Sequence, residues 1–393
     1  MEIEQVDIAV IGGGPAGLRA AEVASKGGAK VVLFDAKPSV GRKFLVAGKG
    51  GLNLTHGEDL SRFIQRYSGG GPWESMLQEF SPKDLVDWCN QMGLETFQAS
   101  SGRIYPRALK GAPVLRAWLQ RLKSVGVEFR MKHQWEGLED GNTLSFSNGS
   151  GVQAKSIIFA LGGASWPSTG SDGSWVEKFR KLGIQSEALI SSNCGWEVKW
   201  SDEILAKAEG LPIKNIVVKA GETELAGELM VTKYGLEGGA IYACGSDLRR
   251  MHDPVLVIDF KPTFSVEELV AKLGDKRDEI LKRAARAWKL SKPVEAILAG
   301  REWNSVQELA ESAKAFRIEL LRPRPIEEAI STAGGVLWSE LESDLMLRQL
   351  PGVFVCGEMI DWDAPTGGYL LQAAFSTGTR AGQSAREYAA KHF

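Results

Sequence analysis

Residues 6–35, VDIAVIGGGPAGLRAAEVASKGGAKVVLFD, decide the fold. VDIAVI is a buried-strand run, the glycines form a turn, residues 16–26 give an alanine-rich helix, and residues 31–34 give a second strand. The turn fits GxGxxG directly after a strand. Gly12 permits the tight turn, Gly14 lets a pyrophosphate approach the backbone, and Gly17 lets the helix pack closely on the strand. Pro15 and Ala16 open that helix, whose N-terminus faces the phosphates. Asp35, with Ala36 behind it, ends the second strand, where an acid accepts hydrogen bonds from a ribose diol.

The first βαβ unit does not choose between NAD and FAD. The far end of the chain does. Gly357-Glu358 closes a strand, Asp361 follows, and Gly367-Gly368-Tyr369 opens a helix that includes Leu371. A late strand-turn-helix of this kind supplies an acid to a ribityl chain and backbone N–H groups to flavin and phosphates, and an NAD domain needs no such distant piece. FAD is therefore the expected cofactor.

Between these ends, residues 157–165 (IIFALGGAS) run a strand into a Gly-Gly turn and bring Ala160, Leu161 and Gly162 towards the cofactor. Residues 41–56, GRKFLVAGKGGLNLTH, combine glycines, among them Gly50, with Arg42, Lys43, Lys49 and Asn53. That composition suits backbone packed against a ligand with cationic help. Trp135 is taken as a further cofactor residue. Residues 82–92 and 112–124 read as helices, and 127–132 and 156–161 as further strands.

From about residue 195 the texture changes to short strands at close spacing, such as GWEVKW, IKNIVVKA and DPVLVIDF, which indicates a small antiparallel barrel or sandwich. Residues 265–313 hold four amphipathic helix candidates, each near a Ser, Asp or Pro start signal. FRIELL and IEEAIS then read as strand-like. The expected organisation is α/β: a split Rossmann-type FAD domain (1–194 and 331–393), an antiparallel β-barrel-like domain (195–264 and 314–330) and a small inserted helical domain (265–313).

Composition sets outer limits. Over 393 residues, 44% are hydrophobic and 24% charged, and the formal net charge is −2, so no overall field attracts nucleic acid or an anionic membrane. The start MEIEQVDIAV is acidic where a signal peptide is basic, and no apolar stretch reaches membrane-span length, so a cytoplasmic location is expected. Cys89, Cys194, Cys244 and Cys356 form no CxxC. No dithiol motif, disulfide framework or metal site is expected.

Together these blocks resemble the BaiN/YhiN-like flavoproteins, the aminoacetone-oxidase family of FAD-binding enzymes. The resemblance covers GGGPAG, GRKFLVAGKGGLN, GRIYP with Lys110, ALGGASWPSTGSDG, TAGGV and PGVFVCGEMIDWDAPTGGYLLQAAF in order, and so runs nearly end to end. Many members read GGGRCN where this chain has Gly48-Lys49-Gly50-Gly51-Leu52-Asn53, so no thiol role carries over. Many read FTHxGxSGP where this chain has VTKYGLEGG (residues 231–239), which places Lys233 at a frequent His position. These departures mark a divergent subgroup.

The resemblance implies an FAD-dependent oxidoreductase that moves hydride or electrons between flavin and a small molecule. Arg103, Tyr105, Lys110 and Lys233 are the polar residues expected around its pocket, with Lys233 stabilising charge at the flavin or transferring a proton. One branch of the family is associated with reducing a uracil in ribosomal RNA. Here Lys276, Arg277, Lys282, Arg283, Arg286, Lys289, Arg317, Arg322 and Arg324 could track phosphates, but interleaved Asp275, Asp278 and Glu279 favour a solvated face over RNA. A non-catalytic flavin-binding protein is the third alternative. With one dinucleotide fold, either NADH or NADPH visits the flavin transiently, or substrate reduces the flavin and oxygen reoxidises it.

Overall fold

The opening strand, Ile3–Ile11, sits in the middle of a sheet, and residues 8–11 are almost wholly buried, as expected of a parallel strand covered on both faces. The computed structural model describes residues 3–139, 142–274 and 278–392, with only the backbone of Lys49. Ile3–Ile11 pairs in parallel with Val31–Asp35 on one side and with Gly151–Phe159 on the other. Glu128–Met131 extends the first side, and the C-terminal strand Val353–Val355 joins Gly151–Phe159, also in parallel. The two ends of the chain thus meet in one sheet, as the split motif requires. Two strands not expected from the sequence, Trp135–Glu139 and Thr143–Phe146, add an antiparallel hairpin at its edge.

The phosphate-turn helix, Pro15–Ala24, is buried along nearly its whole length. Its cover is the 24-residue helix Tyr369–His392. A Cβ on Gly378 would lie 2.5 Å from the carbonyl oxygen of Ala16, and one on Gly382 would lie 2.5 Å from that of Ala20. Only glycine lets the two backbones approach so closely. Buried Glu22 on the first helix accepts from the indoles of Trp88 and Trp118 and pairs with Arg121 at 2.7 Å, so its charge is compensated.

The chain divides into two compact units, Met1–Ile190 with Ser331–Phe393, and Ser191–Ile330. In the second unit six strands run antiparallel in the order Trp196–Glu197, Gly235–Glu237, Thr223–Thr232, Pro212–Ala220, Val255–Asp259, Phe316–Glu319. The chain beyond the last strand turns back to the first: the Glu197 N–H donates to the Arg322 carbonyl and the Leu321 N–H to that of Glu197, both at 2.9 Å. This return makes the sheet barrel-like.

The four expected helices form at Val266–Leu273, Ile280–Ala287, Lys292–Ala299 and Val306–Lys314. Ser265 and Glu268 close a capping box at the start of the first. These helices share one hydrophobic core with the sheet, so the segment expected as a domain of its own belongs to the second unit. One reading needs correction, and one element was not foreseen. IEEAIS is a short 3-10 turn at Ile326–Glu328 instead of a strand, because Pro325 removes a ladder donor at its start. Gly239–Arg250, to which the sequence assigned no element, is a helix that buries Ile241, Cys244 and Leu248 at helical spacing.

If the glycine-mediated approach of the two helices sets their spacing, Gly382→Val should lower the unfolding free energy by about 1–3 kcal/mol, the usual range for overpacking. The urea midpoint checks this. An unchanged midpoint would show that the helices have slack.

Candidate active site

At the phosphate turn, the three motif glycines differ in what surrounds them. A Cβ on Gly12, whose φ is +110°, would lie 2.3 Å from the Ala160 carbonyl oxygen, and one on Gly17 would lie 1.9 Å from that of Gly12. A Cβ on Gly14 meets nothing within 4 Å. Gly12 and Gly17 are therefore fixed by protein backbone, whereas Gly14 faces open space at the start of a helix whose first amides have no side-chain cap. That is the geometry of an anion site, with unclaimed N–H groups and the positive end of the helix dipole directed outward.

Asp35 does more than the sequence indicates. Its Oδ2 accepts from the Gly13 N–H at 2.8 Å and its Oδ1 from the Lys37 N–H at 2.7 Å. It braces the turn while keeping lone pairs for a ribose diol, and burial pushes its carboxyl above the usual aspartate range. Neighbouring Ala36 is exposed.

The glycine-rich segment folds into the short helix Arg42–Ala47 and a 3-10 turn, Gly48–Gly50. Lys43 Nζ donates to Ser165 Oγ at 2.6 Å and to Glu358 Oε2 at 2.7 Å. Glu358 Oε1 accepts from the Thr332 N–H at 2.8 Å. One ion pair thus ties together four separate segments of the first unit. Lys43 and Glu358, expected to contact the cofactor, are first of all engaged with each other. Ser165 and Thr332, which hold this junction, were not singled out from the sequence although both lie in family-resembling blocks.

Three polar atoms here are buried without a hydrogen-bond partner among the described residues: Arg42 Nε, Asn53 Oδ1 and Ser171 Oγ. Leaving such groups unsatisfied costs about 1–3 kcal/mol each. A Cβ on Gly162 would lie 2.9 Å from Ser171 Oγ, so the Gly-Gly turn that follows Ala160 and Leu161 borders one of them. Gly50 is exposed, and its missing side chain borders open space. These orphaned atoms and bare glycines fit a polar cofactor laid along the turns, and an apolar ligand would leave the atoms unsatisfied.

The C-terminal block completes the set. A Cβ on Gly357 would meet that of Ala16 at 2.7 Å, which puts this turn against the start of the phosphate helix. Gly367 and Gly368 have φ of +130° and +103°, and a Cβ on Gly368 would strike the Thr55 backbone at 2.5 Å. The half-exposed Asp361 carboxyl has no hydrogen-bond partner among the described residues, and burial, with Glu187 and Asp363 nearby, raises its pKa. It is suited to accept from a ribityl hydroxyl. Leu371 is half-buried one turn on.

Two expected cofactor residues have their side-chain polar atoms engaged within the protein. The Trp135 indole is buried against Phe159 and Phe179 and donates to the Gly137 carbonyl at 2.7 Å, so its polar atom is used in the core. Tyr369 donates its hydroxyl to Glu58, and its ring stacks on His56 at 5.5 Å. His56, in the quoted segment but not selected there, is thereby positioned opposite Arg103 in the Thr55–His56 and Arg103–Pro106 pairing.

The catalytic candidates come from both units. On Arg103–Pro106 the side chains alternate, with Ile104 and Pro106 buried and Arg103 and Tyr105 half-exposed on the other face. Arg103 Nε lies 3.8 Å from the Cβ position of Gly367, and the Tyr105 ring lies 3.7 Å from that of Gly51. Lys110 is exposed at the N-cap of Gly111–Ser124. Lys233 belongs to the second unit, exposed on the turn between Thr223–Thr232 and Gly235–Glu237.

In the basic cluster, Lys276 and Arg277 lie outside the described residues. Lys282 pairs with Glu279 at 2.8 Å, and Glu197 binds Arg322 at 2.8 Å and Arg324 at 2.9 Å. All four cysteines are buried, and burial pushes the Cys89 and Cys244 thiols up to about 12.

This fold and site define a flavoprotein of the FAD-dependent oxidoreductase class. Within it, the chain belongs to the HI0933-like protein Rossmann domain family, whose profile matches residues 6–384. It is 27% identical to a 3-dehydro-bile acid delta(4,6)-reductase of Clostridium scindens, covering 97% of this chain and 99% of that one. It is 23% identical to a ribosomal RNA dihydrouridine synthase of Escherichia coli, covering 95% and 96%. Among solved structures, an E. coli quinol fumarate reductase chain superposes with a TM-score of 0.56 at 17% identity, over 100% of this chain and 72% of that chain. A 3-ketosteroid-delta4-(5alpha)-dehydrogenase of Rhodococcus jostii does so with 0.53 at 14%, over 98% of both. At these identities the structural matches speak for the fold alone. No described helix is long and apolar enough to cross a membrane.

The open space at Gly14 makes a direct prediction. Gly14→Val should abolish flavin retention, whereas Asp35→Ala should weaken FAD binding on the order of 10–100-fold, the worth of a charged hydrogen-bonding group. Because the Asp35 carboxyl is raised, it protonates in the apoprotein at a higher pH than an ordinary aspartate. Wild-type FAD affinity should therefore fall as pH drops through that range, and the Asp35→Ala affinity should not. Equilibrium dialysis against pH reads both effects, and equal flavin occupancy in all three proteins would place the cofactor elsewhere.

Proposed function

We propose that this protein reduces a carbon–carbon double bond conjugated to a carbonyl, with FAD as the hydride donor and NADH or NADPH as the transient source of electrons. The observation that carries the reading is the paired display of Arg103 and Tyr105 on one strand face, bordering the glycine turns at Gly367 and Gly51. Neither the guanidinium nor the phenol has a hydrogen-bond or ion-pair partner among the described residues. Both are available to a ligand. The relatives' names support the reaction class, since a delta(4,6)-reductase and a dihydrouridine synthase both saturate a double bond in conjugation with a carbonyl.

Bound flavin would supply the hydride to the β-carbon of such a substrate. Arg103 would accept the negative charge that then gathers on the carbonyl oxygen, a preorganised electrostatic role. Tyr105, two residues along the same face, would deliver a proton to the α-carbon. Glu358, Lys43 and Thr332 would hold the turns in register without touching the reacting atoms. The nicotinamide is assigned a transient place because the described residues contain one Rossmann-type sheet, and FAD occupies its phosphate turn in this reading.

Two measurements test the proposal. In anaerobic stopped-flow work, NADH or NADPH should bleach the flavin, and a conjugated enone such as 2-cyclohexenone or a Δ4-3-ketosteroid should restore its colour with formation of the saturated ketone. Reoxidation by oxygen alone, with no enone turnover, would overturn it. Arg103→Ala should keep FAD and slow reoxidation by the enone by roughly 10²–10³, the loss typical of an oxyanion donor. Tyr105→Phe should slow it by about 10².

A further inference from the structure

A second recess lies wholly within the second unit, a cleft of about 920 Å³ between the Pro212–Ala220 and Thr223–Thr232 strands and the approach to the helix Lys292–Ala299. Its volume is that of a small-molecule site, for which 300–1,000 Å³ is usual. Ile216, Phe260 and Val294 are buried residues of its wall, so the floor is apolar.

The rim is cationic. Lys214, Lys261 and Lys289 line it, against the single carboxylate of Glu228. A register shift between Ile213 and Ile216, with Asn215 at φ +55°, raises Lys214 and Asn215 out of the strand ladder. Lys261 Nζ is held at the Lys289 carbonyl, 3.2 Å away. The nearby Asp259 carboxylate is already bound to Lys314 at 2.6 Å. None of the three rim lysines pairs with a carboxylate among the described residues, and burial together with Lys289 lowers the Lys261 pKa. Like charges are thus gathered without compensation, at a cost that a bound anion would remove.

A separate feature points to the same ligand. The helix Lys292–Ala299 begins at this rim: its N-cap, Ser291, lines the cleft, and the Ser291 hydroxyl makes no capping bond to the helix. Pro293 carries no N–H and the Glu295 N–H donates to the Ser291 carbonyl, so the Lys292 and Val294 amides and the positive end of the dipole are left for a ligand oxygen.

We propose that this cleft binds a small organic anion, a phosphate or carboxylate headgroup on an apolar body, with the headgroup at Lys261, Lys289 and Ser291 and the body over Ile216 and Phe260. The site is separate from the flavin turns, and its test does not depend on flavin chemistry. Isothermal titration of the flavin-loaded full-length protein should detect 2-naphthyl phosphate or 2-naphthoate but not neutral 2-naphthalenemethanol; the stronger of the two anions identifies the headgroup. Lys261→Gln with Lys289→Gln should weaken binding on the order of tenfold or more, and Glu228→Gln should tighten it, with flavin content unchanged. Equal binding of the neutral alcohol, or affinities unmoved in both variants, would overturn the proposal. So would a single-stranded oligoribonucleotide that displaces the anions and loses its binding in the same double variant, since the rim would then be a phosphate track for RNA.

Discussion

The close backbone contact between the phosphate-turn helix and its neighbours is the constraint on which the first unit depends. Gly17 admits the Gly12 carbonyl on one side of that helix, and Gly378 and Gly382 admit the carbonyls of Ala16 and Ala20 on the other. A helix held this tightly cannot shift to accommodate a ligand. Its N-terminal amides are therefore aimed in advance, which is what anion binding at a helix N-terminus requires. Residues nearly the whole chain length apart supply the clamp, and this explains why the cofactor unit is built from both termini.

The polar groups around the turn divide into those that hold the frame and those left for a ligand. Lys43, Glu358, Thr332 and Ser165 saturate one another, and Asp35 spends an oxygen on each of two backbone amides. Arg42 Nε, Asn53 Oδ1 and Ser171 Oγ are buried without such partners. Low dielectric makes both arrangements consequential: paired groups rigidify the site, and orphaned ones favour a ligand that completes them.

The first βαβ unit, the late strand-turn-helix and the barrel-like second unit were legible because each carries a local pattern of fixed spacing. What escaped was decided by tertiary contact. Phe159 and Phe179 enclose the Trp135 indole and Glu58 takes the Tyr369 hydroxyl, contacts that no local spacing foretells. Ser165 and Thr332 gave no signal of their own, because their role exists only where Lys43 and Glu358 meet. Gly239–Arg250 carries Gly239 and Gly245, poor helix formers, and packing of its apolar face on the sheet overrides that propensity. The helical segment 265–313 was correctly read as helices, but sequence could not tell that they complete the core of the sheet.

The central claim is that the two ends of the chain form one site for a dinucleotide, with the phosphate turn gripping the pyrophosphate. Titration of flavin-free protein with FAD and with FMN tests it most directly, since FMN offers the same ring and ribityl chain but lacks the pyrophosphate bridge and the adenosine half. The account predicts tight FAD binding and FMN binding weaker by orders of magnitude. Equal affinity for the two would contradict it.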